Sequence, residues 1–95
     1  MVVGIVRMDL YIPGSRSLKE KRSVVRRVVD RVRSRFPVSV AEVDAHDLHQ
    51  RASIGVAVVS NSLPLAERVV EHVLQFVEDQ HLAHIVSVDR EVLHM

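Results

Sequence analysis

The reading of residues Val2–Glu20, VVGIVRMDLYIPGSRSLKE, decides the fold. Val6, Met8, Leu10 and Ile12 share one parity, while Arg7, Asp9 and Tyr11 hold the other. That is the period of a strand with one covered face. Pro13 and Gly14 end it. Ser17-Leu18-Lys19-Glu20 has the form of a capping box, in which Ser17 and Glu20 satisfy each other's free amides, so a helix begins here. Leu18, Val25, Val28, Val29, Val32 and Phe36 form its apolar stripe, and Pro37 stops it.

The pattern continues outward. Val38–Ala45 is β-rich, with a slip in alternation near Ala41 that predicts a bulge. The polar connector HDLHQR leads to a strand over Ala52–Ser60, with Ile54, Val56 and Val58 on one face. Ser60-Asn61-Ser62 offers caps for a second helix, where Pro64 is tolerated in the first turn. Its stripe is Leu65, Ala66, Val69, Val70, Val73, Leu74 and Val77. A last strand is expected over Ile85–Val92, with Val86, Val88 and Val92 on one face. The order β-α-β-β-α-β predicts an α+β ferredoxin-like sandwich: one domain over residues 1–95, an antiparallel sheet of order 4-1-3-2, and two helices on one face. Tyr11, Phe36 and Phe76 are the only aromatics, so the core should be a thin aliphatic layer.

No cysteine is present among the 95 residues, which excludes disulfides, thiolate nucleophiles and Cys-bound metals. Arg7 and Asp9 interrupt the opening apolar run, so no signal peptide is expected. The charge-free run Ser53–Ala66 is short for a membrane span and contains Asn61 and Pro64. A cytoplasmic protein without a membrane partner is expected.

Charge is segregated. Ser15–Phe36 holds nine basic residues and two acids, a net of +7, and the rest of the chain holds four and ten, a net of −6. Arg16, Lys19, Lys21, Arg22, Arg26, Arg27, Arg31, Arg33 and Arg35 are the candidate phosphate contacts, because the guanidinium fork grips phosphate at two points. RNA or a ribosomal particle is the partner this implies. The alternative is a solvated helix face whose arginines pair with Glu67, Glu71, Glu78 and Asp79 of the second helix.

The outward parity of the central strands carries Val3, Ile5, Ala57 and Val59, an apolar open face with Tyr11 as its one stacking residue. Such a face predicts a homo-oligomer, formed through the open face or a strand edge. A dimeric module for a small anion or a protein is the alternative function. Asp44, His46, Asp47, His49 and Arg51 form a possible polar site, as a salt-bridged connector or a weak acid–base or metal cluster. No catalytic residue, cofactor or metal is assigned.

Three further segments carry a family resemblance: PGSRSLKEKRSVV (Pro13–Val25), VSVAEVD with DLHQRA (Val38–Ala52), and GVAVVS (Gly55–Ser60). They resemble the YlxP-like family of bacterial proteins, a domain of unknown function. The resemblance implies a ferredoxin-like fold. It also implies gene neighbours for translation initiation factor two and ribosome-binding factor A, hence a role near ribosome maturation or translation. Many members have Trp where this sequence has His49, so base stacking at that position would be weaker.

Overall fold

The computed structural model describes residues 1–95. The elements are β1 (Val2–Tyr11), α1 (Leu18–Arg35), β2 (Ser39–Asp44), β3 (Arg51–Ser60), α2 (Leu63–Asp79) and β4 (His84–His94). The sheet is antiparallel and four-stranded, in the order β2-β3-β1-β4. This is the expected split βαβ arrangement. α2 lies over β1 and β3, and α1 lies over β2.

Alternation dictates the core. Val6, Met8, Leu10 and Ile12 of the first segment meet Ala52, Ile54, Val56 and Val58 of β3 on the helix side, all buried. Val25, Val28 and Val32 enter from α1, and Ala66, Val70, Val73, Leu74 and Val77 from α2. Leu65, expected in that stripe, stays exposed at the helix start. Phe36 and Phe76 meet edge to face at 5.5 Å between the helix ends, a geometry that suits the ring quadrupoles.

Both helix starts follow the caps written in the sequence. Ser17 Oγ accepts from Glu20 N at 3.1 Å. The return contact goes from Arg16 N to Glu20 Oε2 at 2.7 Å, one residue earlier than a standard box. Ser62 caps α2 by accepting from Leu65 N.

Two bulges depart from simple alternation. The one expected near Ala41 falls between Glu42 and Asp44, so Val43 is the extra residue. Glu42 therefore stays with Val40 on the helix side, while Asp44 turns to the open face opposite Ser53. In β4, Leu10 pairs with Ile85 but Asp9 pairs with Ser87, leaving Val86 as the extra residue. Val86 thus leaves the parity of Val88 and Val92 that simple alternation predicts. No helix is long and apolar enough to cross a membrane.

Candidate functional site

The basic residues of the first helix fall into three groups. Lys21 is fully buried. Its Nζ donates to Glu42 Oε2 at 2.8 Å, to Ala45 O at 3.0 Å and to His46 O at 3.3 Å, which uses all three of its protons. This corrects its expected role: Lys21 faces away from solvent and cannot meet a phosphate. It pins the β2–β3 connector where Ala45 takes the left-handed φ of 62°, a conformation that a residue with a side chain adopts only under restraint.

The second group is lightly engaged. Arg33 donates to Val40 O at 3.1 Å and pairs with Asp30 at 3.5 Å. Arg31 donates to Gln80 Oε1 at 2.6 Å, and Arg35 lies 5.5 Å from the Phe76 ring centre. Arg16, Lys19, Arg22, Arg26 and Arg27 form the third group, exposed and without ion-pair partners. None of the α1 arginines pairs with an α2 carboxylate. Glu71 pairs with Arg90, Glu78 accepts from Ile85 N, and Asp79 accepts from Gln75.

On the helical wheel the exposed cations take two flanks. Lys19, Arg22, Arg26 and Arg33 lie toward β2, where Arg33 reaches a β2 carbonyl. Arg27, Arg31 and Arg35 lie toward α2, where Arg31 and Arg35 meet Gln80 and Phe76. Cations four residues apart repel within a helix, so this arrangement costs the fold a few tenths of a kcal/mol per pair.

A separate polar cluster occupies the open sheet face. Ser53 Oγ donates to Asp9 Oδ1 at 2.5 Å, and Ser87 Oγ donates to Asp9 Oδ2 at 2.7 Å. Arg7 reaches Asp9 at 3.4 Å, Asp44 at 3.3 Å and Ser53 Oγ at 3.3 Å. The two hydroxyls, Ser53 first, hold the Asp9 carboxyl below its ordinary value, with Arg7 adding to them. Asp44 is lowered first by the Ala45 amide and then by Arg7, and Arg7 is raised by its bond to Asp9. Both bulges serve this cluster, because they turn Asp44 and Ser87 to the open side. Arg7 and Asp9 were visible in the sequence as outward charges on a central strand. Their meeting with Ser53 and Ser87 depends on register.

Of the Asp44–Arg51 segment, Asp44, Asp47 and Arg51 border one hollow, while His46 and His49 lie outside it. Asp44 joins Arg7, and His46 Nε2 lies 3.9 Å from Glu42 Oε1 on the other side of the connector. Asp47 and His49 are exposed, and Arg51 lies 5.4 Å from the Tyr11 ring centre. No group of three His, Asp or Glu side chains is placed to hold a metal ion.

Residues 3–90 match the family described as a protein of unknown function, DUF503. The chain belongs to that family. It is 38% identical over 77 residues to the uncharacterized protein YlxP of Bacillus subtilis (strain 168), covering 81% of this chain and 84% of that protein. The YlxP-like resemblance read from the sequence is therefore borne out. Among solved structures, a structural-genomics protein, YJCS, superposes with a TM-score of 0.55 at 8% identity, over 97% of this chain and 99% of that one. A de novo designed protein with a ferredoxin fold, LFR1 1, gives a TM-score of 0.55 at 14% identity, over 100% of this chain and 87% of that one. At such identities these likenesses speak for the fold alone. In this DUF503 chain Arg7 and Arg90 of the sheet are ion-paired, whereas Arg22, Arg26 and Arg27 of α1 are not.

Proposed function

We propose that this DUF503 protein is a small non-enzymatic RNA-binding protein that contacts phosphates through the outer flanks of α1. Its target is RNA or a ribosomal particle, in ribosome maturation or translation. The observation that carries this reading is the set Arg16, Lys19, Arg22, Arg26 and Arg27, exposed without carboxylate partners on or beside one helix. Unpaired guanidinium groups on a rigid element offer phosphate-shaped donors and an attractive field. The contacts read charge and shape more than base identity. Co-sedimentation of the protein with ribosomal fractions tests it. Arg22→Glu, Arg26→Glu and Arg27→Glu together should release the protein while leaving its melting temperature within a few degrees of the parent's. Unchanged co-sedimentation of the triple variant sinks the reading.

A second reading concerns self-association through β4. This strand pairs with β1 on one side only, and Val88, Val92 and Leu93 on it are exposed. An edge of that kind is a template for another strand. Antiparallel pairing of two copies about Val88 sets Ser87 opposite Asp89 of the second copy. Centring on Asp89 or Arg90 instead would set like charges together. The register about Val88 avoids both clashes. Sedimentation equilibrium should give a dimer, and Val88→Lys a monomer. A monomeric parent at all concentrations removes this reading.

A further inference from the structure

Where β1 runs out, two open hollows of about 450 and 540 Å³ flank Arg51, and Tyr11 borders the second. The two hollows share Leu48 and Arg51 but differ in charge. One contains Asp9, Asp44 and Asp47. The other is lined by Tyr11, Ser15, Arg16, His49, Gln50 and the shared pair, with no acid among them. The first therefore offers an anionic chain little attraction, because its aspartates offset Arg7 and Arg51, whereas the second presents Arg16 and Arg51.

The acid-free hollow has a fixed floor. Gln50 Nε2 donates to Ser15 O at 3.2 Å, and Ile12 N donates to Gln50 O at 2.9 Å. Gln50 Oε1 is left as a free acceptor. The Arg51 guanidinium lies over the Tyr11 ring at 5.4 Å, a cation–π contact that orients the fork without neutralising it. Arg16 has no ion-pair partner and stands one residue before the helix cap. From Arg16 the basic track continues through Lys19 and Arg22 along α1.

We propose that this hollow receives one unpaired base of a single-stranded RNA, stacked with Tyr11 and Arg51, with its phosphate on Arg16. This rests on the reading of α1 as a phosphate-binding helix and adds the form of the RNA. A duplex buries its base faces and cannot enter such a stack, whereas every single-stranded base presents one. The free Gln50 acceptor meets a base N–H at the rim.

The test compares the full chain's affinity for oligoadenylate and for an RNA duplex of equal charge, by fluorescence anisotropy. Tyr11→Leu should weaken the single strand roughly tenfold, from the loss of one stacking partner, and leave the duplex within about twofold. Tyr11→Phe should bind both as the parent does. Because Tyr11 is partly buried, Arg51→Lys supplies an independent arm: it keeps the charge and removes the plane, so it should weaken the single strand alone. If both variants weaken the two RNAs equally, or neither weakens the single strand while the α1 triple variant abolishes binding, the base site is wrong and the helix reading stands. If the parent binds neither RNA, both fall.

Discussion

On the open sheet face Arg7 stands between Asp9 and Asp44, whereas on α1 Arg22, Arg26 and Arg27 form no ion pair. The difference comes from how each element supplies neighbours. Register in a sheet sets residues from distant parts of the chain side by side, so Asp9 meets Ser53 and Ser87, and the Val43 bulge brings Asp44 to Arg7. A helix supplies its own neighbours at i+3 and i+4, and here the one acid among them, Asp30, pairs with Arg33. The carboxylates of α2 do not answer them: Glu71, Glu78 and Asp79 are bonded elsewhere, and Glu67 forms no ion pair. A balanced region and an unbalanced one result, in a chain whose net charge is only +1.

The largest consequence of this contrast is in binding. The α1 triple charge reversal should abolish RNA association, whereas Arg7→Gln on the balanced face should leave it within about twofold, because Arg7 projects little net field. Equal losses in the two variants, measured by anisotropy at one salt concentration, would erase the distinction.

Next comes Lys21, the one α1 cation that folding consumes. Lys21→Met leaves Glu42 largely enclosed and unpaired, so urea unfolding should show a loss of about 3 kcal/mol. Adding Glu42→Leu should restore most of it, because a matched apolar pair replaces the ions. A Lys21→Met protein as stable as the parent would mean that this lysine is free in solution.

The acid limb of stability gives a smaller effect. Asp9 and Asp44 both titrate below the ordinary 3.8 in the folded chain. The unfolded chain then binds more protons near that pH. The stability they contribute is fully present above 3.8 and is lost as pH falls through the folded values. Ser53→Ala removes the leading cause at Asp9, so its carboxyl, followed by NMR, should titrate closer to 3.8 and the acid unfolding midpoint should move up in pH. An unmoved Asp9 titration would show that Ser53 does not hold it.

Smallest is Gly55→Ala. A Cβ there would sit 2.9 Å from Val43 Cγ1, but Val43 is half exposed and can yield. The expected cost is about 1 kcal/mol in thermal melting. A loss several times larger would mean that Val43 is rigidly seated.

The core and the element order were legible because alternation at Val6–Ile12 and the stripe from Val25 to Val32 are local periodicities that packing only had to accept. Lys21 was also legible in principle. On the wheel it falls between Val28 and Val32, inside the apolar arc, and a count of positive charges ignores that position. Glu42 was not legible, since moving the bulge from Ala41 to Val43 is what keeps it on the helix side beside Lys21. The Arg7 cluster joins residues as far apart as Asp9 and Ser87, which no local pattern connects. The same holds for Arg51 over Tyr11, which only the register of β1 on β3 sets opposite each other.

The salt dependence of RNA affinity measures the unpaired α1 field most directly. With three to five phosphates neutralised, the logarithm of the association constant should fall against the logarithm of salt with a slope of about −2 to −4. In the Arg22→Glu, Arg26→Glu, Arg27→Glu protein that slope should collapse together with the affinity. A parent slope near zero, or one that survives the three reversals intact, would contradict the assignment of phosphate contacts to this helix.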